Sequence, residues 1–191
     1  MGREVPRRLV HACGTIIPAT YLLDIATWEQ IRLLLAAGIV AALAIEGLRL
    51  IVGVDLPYVD RLIRGYEEEY LAGYALYVIA GGTVGIVFDA QFAVPAILML
   101  TLGDPIAGLM STGELRRVKR LRVLAVMFII CLAIAWWFLD PLAAVAAAAV
   151  ATVADGVKPV IKGYVIDDNL TIPVGAAVAA YLVTTYGSTV L

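Results

Sequence analysis

The sequence predicts an all-α polytopic membrane protein of about seven transmembrane helices, forming a single integral-membrane domain over residues 1–191. Three observations predict it. The chain is 62 % hydrophobic and 16 % charged, with a mean hydropathy of +0.94, which is more apolar surface than a soluble domain of this size can bury. Apolar stretches of about 17 to 25 residues recur between short polar turns, as helices crossing hydrocarbon require. Basic residues gather in alternate connections. The expected surroundings are a lipid bilayer, and no nucleic-acid partner is expected.

The apolar segments lie near 8–24, 31–53, 71–88, 90–111, 122–139, 141–161 and 170–190. The first is short, and Pro18 with the nearby glycines predicts a bent or partly interfacial helix. Its start, "MGREVPRRLVHACGTIIPATYLL", mimics a signal peptide. It has no convincing small-residue cleavage site and many spans follow, so it is read as the first helix. "MGREVP" lacks the Ser or Thr of a myristoylation signal. Cys13 and Cys131 lie far apart in apolar stretches without ligand spacing, as small core residues do. Between the second and third segments, "DLPYVDRLIRGYEEEY" sets Val59, Leu62, Ile63, Tyr66 and Tyr70 at helical spacing. Asp60, Arg61, Arg64 and Glu67 face the other way, the pattern of an interfacial amphipathic helix.

Charge placement predicts orientation. Arg3, Arg7 and Arg8 precede the first span; Arg61 and Arg64 separate the second and third. Arg116, Arg117, Lys119, Arg120 and Arg122 separate the fourth and fifth, and Lys158 and Lys162 the sixth and seventh. Seven spans put all of these on one side. The opposite turns, "DIATWEQ", "FDAQF" and "LDP", hold no Lys or Arg; Arg32, just beyond, is the exception. That asymmetry predicts a cytoplasmic N-terminus and an external C-terminus.

Ionisable groups within a span are costly, so each invites a functional reading. Glu46, Asp104 and Asp155 fall about two turns from the cytoplasmic ends of the second, fourth and sixth segments, and Asp167 and Asp168 sit in the adjoining turn. Such a layer repels itself unless a cation neutralises it. Oxygen ligands, a single His and no Cys pair favour Mg²⁺ or Mn²⁺ over zinc. Glu46 and Arg49 stand at i, i+3 and can also neutralise each other. In "TLGDPIAG", Asp104 lies between Gly103 and Pro105, which predicts a helix interrupted at a buried acid. The run "RRVKRLR" satisfies the positive-inside rule and equally suits a polyphosphate. His11 follows Arg8 by three residues, on the same helical face. In "VIDDNLTIP", Asp168 or Asn169 can cap the seventh helix, with Pro173 tolerated in its first turn. Capping explains one of the three polar residues. Metal ligands beside a helix N-terminus would suit a nucleotide–metal complex.

Five pieces together resemble the CTP-dependent polyprenol kinases, a family that includes dolichol kinase and phytol kinase. They are "RRLVHACGT", "EGLRL", "RGYEEEYLAGYALYVIAGG", "LGDPIAGLMSTG", and "ATVAD" followed by "IDDNLTIP", the last being the most specific. The chain departs from the family in two places. "GELRRVKRLRVLAV" replaces a Lys-x-x-Glu-Gly-like segment, leaving Lys119 or its Arg neighbours to supply the nucleotide contact. Asp155 stands where the family tends to carry Glu. The resemblance implies Mg²⁺-dependent phosphoryl transfer from CTP to the hydroxyl of a long-chain isoprenoid alcohol of dolichol, polyprenol, geranylgeraniol or phytol type. It implies Asp104, Asp155 and Asp168 as metal carboxylates and Asn169 as a metal or phosphate contact. Arg8, His11, Arg49, Lys119 and Lys158 would hold the nucleotide. Asp167, Asp168 or Glu46 would act on the acceptor hydroxyl. Two other readings share these features: a CTP-dependent cytidylyltransferase acting on a lipid phosphate, and an ion-coupled transporter. The transporter would want acids near mid-membrane, whereas these crowd one face.

Overall fold

Each apolar stretch becomes helix, because within lipid or a packed core only internal hydrogen bonds satisfy the backbone. The computed structural model describes residues 11–60, 62–63, 65–110, 119–161 and 164–187. Arg3, Arg7, Arg8, Arg61, Arg64, Arg116, Arg117 and Lys162 lie outside the described residues, and with them the phosphate role expected of Arg8.

The described helices run in order as α1 (Ile16–Leu22), α2 (Trp28–Gly47), α3 (Pro57–Asp60), α4 (Gly73–Val87), α5 (Ala90–Leu98), α6 (Asp104–Leu109), α7 (Leu121–Ala135), α8 (Pro141–Gly156) and α9 (Asp168–Tyr186). A π-helical turn at Leu48–Val52 continues α2, and another at Met99–Gly103 joins α5 to α6. A two-residue hairpin, β1 (Val160–Ile161) against antiparallel β2 (Tyr164–Val165), links α8 to α9. Three continuous helical stretches are long and apolar enough to cross a membrane: Trp28–Val52, Ala90–Leu109 and Asp168–Tyr186. Gly73–Val87, Leu121–Ala135 and Pro141–Gly156 are apolar but shorter.

Local chemistry sets the boundaries. Thr27 caps α2 in a reciprocal capping box with Gln30. Residues 141–161 were expected as one helix, but α8 stops at Gly156, because Pro159 disfavours helical backbone at Lys158. The expected amphipathic helix also fails to form. Its described residues give only α3 and a short 3₁₀ turn at Gly65–Glu67, since Gly53 turns left-handed, Pro57 restarts the chain and Gly65 favours a break. Glu67, expected to face solvent, is buried.

The core is a layer of small residues. Ala143, Ala144, Ala147, Ala148 and Ala151 of α8 meet Ala176, Ala177 and Ala180 of α9. Here the backbones approach so closely that a Cβ on Gly175 would fall 2.8 Å from Val150 Cγ1. α9 also packs on α4 and α5, and α4 on α2. Nearly all of α5 is buried, whereas α2 buries only Ile31, Leu35, Ala42 and Glu46 and turns Leu33, Leu34 and Val40 outward. Arg32, the exception to the charge asymmetry, reaches the carbonyls of Gly85 and Phe88 at the end of α4, where a cation offsets the helix dipole.

Candidate metal and phosphate site

Three helix ends meet at three carboxylates. Asp104 opens α6, Asp155 lies in the last turn of α8, and Asp168 opens α9. Each stands beside a backbone interruption. The π-turn and Pro105 flank Asp104, Gly156 and the extended Val157 follow Asp155, and the extended Asp167 precedes Asp168. The helix through Asp104 is not broken, as the sequence suggested, but widened. Pro105 has no N–H for the carbonyl of Thr101, and a π-turn absorbs the mismatch.

One carboxylate oxygen from each of Asp104, Asp155 and Asp168 lies within 4.8 Å of the others. Asp155 and Asp168 are buried, and Asp104 is partly open. Two lysines face them. Lys119 Nζ lies 2.5 Å from Asp155 Oδ1 and 3.8 Å from Asp104 Oδ1, and its backbone N–H donates to the Gly156 carbonyl at 3.1 Å. Lys158 Nζ lies 2.8 Å from Asp168 Oδ2. Asp155 Oδ2 and Asn169 Oδ1 are buried with no hydrogen-bond partner among the described residues. Oxygens around one Mg²⁺ lie up to roughly 4.2 Å apart, given bonds of about 2.1 Å, and the larger Ca²⁺ spans somewhat more. The three hard carboxylates therefore fit one divalent cation with at most a small closure of the cluster, and Asp155 Oδ2 is an unpaired oxygen on one of them.

No protein-family model, curated protein or solved structure matches this chain. The chemistry therefore rests on the side chains themselves.

His11 joins the cluster from residues 11–13, with Nδ1 3.7 Å from Asp104 Oδ2. Tyr77 of α4 holds it in two ways. The rings stack at 4.5 Å, and the Tyr77 hydroxyl donates to the His11 carbonyl at 2.9 Å. Gly14 makes room for this: a Cβ there would fall 1.6 Å from Tyr77 Oη. Thr15 donates to Thr101 Oγ1 at 3.0 Å, tying this segment to the π-turn before Asp104.

The cap of α9 is Asp167, not Asp168 or Asn169 as expected, and its Oδ1 accepts from the Asn169 N–H at 2.9 Å. Because the helix starts at Asp168, Pro173 falls in its second turn and leaves the Asn169 carbonyl without an i+4 donor. Asn169 Nδ2 donates to the Gly73 carbonyl at 3.1 Å, across to α4.

Glu46 and Arg49 form a separate cluster. Arg49 grips Glu46 with two nitrogens, at 3.1 and 2.6 Å, and donates to the carbonyls of Glu68 and Tyr70. Glu46 also accepts from the Tyr74 hydroxyl at 2.5 Å and the Ala72 N–H at 3.1 Å. Of the expected site residues, Asp104, Asp155, Asp168, His11, Lys119 and Lys158 are brought together, with Asp167 and Asn169 adjoining through α9. Glu46 and Arg49 are not among them. Tyr77 and Gly14 were missed, although a tyrosine inside the glycine-rich "GYALYVIAGG" is a polar tip in an apolar span that needs a partner.

Proposed function

We propose that this chain is a membrane-embedded phosphotransferase that moves the terminal phosphoryl group of CTP to the hydroxyl of a long-chain isoprenoid alcohol, with Mg²⁺ or Mn²⁺. The observation carrying this reading is the convergence of Asp104, Asp155 and Asp168 from three helices with two lysines and a histidine on them. A metal held by Asp104, Asp155 and Asp168 would offset the charge of the phosphates during transfer. Lys119, Lys158 and His11 lie close enough to the carboxylates to contact the same phosphates. The N-terminus of α9 adds backbone donors. The acceptor oxygen bonds to the terminal phosphorus as the bond to the bridging oxygen breaks. That electron pair leaves on CDP, and the hydroxyl proton passes to a carboxylate. Asp167 suits that task by its place beside the acid cluster at the start of α9, whereas Glu46 lies in the separate cluster with Arg49, Tyr74 and Ala72.

In this reading the shorter apolar helices complete a polytopic bundle of about seven spans. The basic connections and the acid cluster then face the cytoplasm, where the alcohol's polar end meets water-soluble CTP. The test uses purified protein with CTP labelled at the terminal phosphate, Mg²⁺, and geranylgeraniol, phytol or dolichol as acceptor. Label in the lipid and CDP in solution are expected, and both should vanish with chelator and return with Mn²⁺. Label in no acceptor overturns the reading. Pyrophosphate release with a lipid phosphate would make the chain a cytidylyltransferase instead.

A further inference from the structure

A lysine ammonium stands where a metal would have to sit. Lys119 Nζ touches Asp155 Oδ1 at 2.5 Å and lies 3.8 Å from Asp104 Oδ1, in the space between two of the three converging carboxylates. Lys158 Nζ occupies an oxygen of the third, Asp168, at 2.8 Å. The acids are fixed by their helix ends, and the Asp155 side chain is fully buried. Both lysines are partly open, with 18 % side-chain exposure, and hang on flexible four-carbon stems. Buried carboxylates of one sign need cations beside them, and these ammonium groups supply them.

Charge balance points to an exchange. Three carboxylates with two ammonium groups sum to minus one; three carboxylates with one divalent cation also sum to minus one. Swapping the two lysines for one divalent cation therefore leaves the charge of the cluster unchanged. Lysine and metal cannot share the space between Asp104 and Asp155, because both are cations seeking the same oxygens. The orphaned Asp155 Oδ2 shows that the lysines leave part of this donor set unused.

We infer that Lys119 and Lys158 are resident counter-ions of the empty acid cluster, displaced by the divalent cation and released onto the phosphates that arrive with it. This rests on the metal-dependent reading above and adds a sign that reading alone does not predict. Removing a phosphate-binding lysine tightens metal binding in the absence of nucleotide. Loss of one cationic neighbour at such range changes cation affinity on the order of tenfold or more.

The experiment measures Mn²⁺ binding to the full-length purified protein by electron paramagnetic resonance, without nucleotide. Lys119→Met is expected to bind Mn²⁺ about tenfold more tightly than wild type, and Lys158→Met to move in the same direction. Both should bind CTP–Mn²⁺ more weakly. On wild-type protein, acylation of Lys119 by an amine-reactive reagent, read by mass spectrometry, should rise when Mg²⁺ is added. That readout does not depend on any variant folding. If wild type binds Mn²⁺ but the variants bind it equally or less tightly, the exchange is overturned and the metal site stands. Unchanged Lys119 reactivity alongside metal binding overturns it as well. Absence of Mn²⁺ binding to wild type sinks the metal reading, and the exchange with it.

Discussion

At the end of α2 a carboxylate, a guanidinium, a phenol and a backbone N–H close on one another. At the junction of α6, α8 and α9 three carboxylates face two ammonium groups and leave a buried oxygen without a donor. The two clusters are almost adjacent, because Ala72 donates to Glu46 while the next residue, Gly73, accepts from Asn169. Both hold carboxylates that burial would penalise if unpaired. In the first, Glu46 accepts from three groups and Arg49 spans to the carbonyls of Glu68 and Tyr70, so it acts as a clasp holding the 68–72 segment to α2. The second sets three carboxylates against two ammonium groups and His11 and leaves a buried carboxylate oxygen without a donor among its described neighbours, an oxygen that a cation could take. Charge inside an apolar bundle thus serves two ends, and hydrogen-bond completeness separates them better than charge alone.

The sharpest break of this comparison is to neutralise one acid in each cluster. Asp155→Asn keeps shape but loses charge, and phosphoryl transfer should fall on the order of 10³-fold in protein that still folds. Thermal unfolding in detergent, measured beside the labelled-CTP assay, checks both halves. Glu46→Gln should do the reverse. Removing the Glu46 charge from its ion pair with Arg49 costs about 3 kcal/mol, seen as a lowered unfolding midpoint, while turnover per folded molecule persists. If Glu46→Gln instead abolished turnover in stable protein, Glu46 would be the base and the clasp reading would fail.

Part of this was legible in the sequence. Hydropathy located the apolar helices, three of which are long enough among the described residues to cross a membrane, because lipid and an alanine core both demand unbroken apolar runs. The i, i+3 spacing already allowed the Glu46–Arg49 pair, and a shared depth on alternate segments grouped Asp104 with Asp155 but also with Glu46, which the fold holds in its own cluster. What sequence periodicity could not show were local geometries that depend on tertiary neighbours. The π-turns at Leu48–Val52 and Met99–Gly103 shift helical register without changing composition. Glu67 sits on the polar side of a helical wheel that never forms, and its Oε1 turns inward to within 3.3 Å of where a Gly73 Cβ would lie. The α9 cap moved to Asp167 because three polar residues in a row offer three candidate caps, and packing against α4 decides among them.

A smaller effect separates the site from its support. Gly14→Ala places a methyl where the Tyr77 hydroxyl lies, so Tyr77 must shift and His11, stacked on it, must follow. The overpacking should cost about 2 kcal/mol in stability and lower phosphoryl transfer. Adding Tyr77→Phe removes the colliding oxygen and should restore part of the stability, while transfer stays reduced because the bond to the His11 carbonyl is gone. Full recovery of transfer in the double variant would show that Tyr77 fills space without positioning His11.

The smallest expected change is a control on both clusters. Thr27 caps α2 at its far end, twenty helical residues running from there to Gly47. Thr27→Ala removes the side-chain acceptor for the Gln30 N–H and breaks the reciprocal pair, a loss of about 1 kcal/mol. Because α2 carries Glu46 but none of the converging aspartates, the variant should lower the unfolding midpoint slightly and leave Mn²⁺ affinity unchanged. A change in metal affinity from so distant a cap would mean that α2 and the acid cluster move as one body, and that the clasp at Glu46 transmits strain to Asn169 through Ala72 and Gly73.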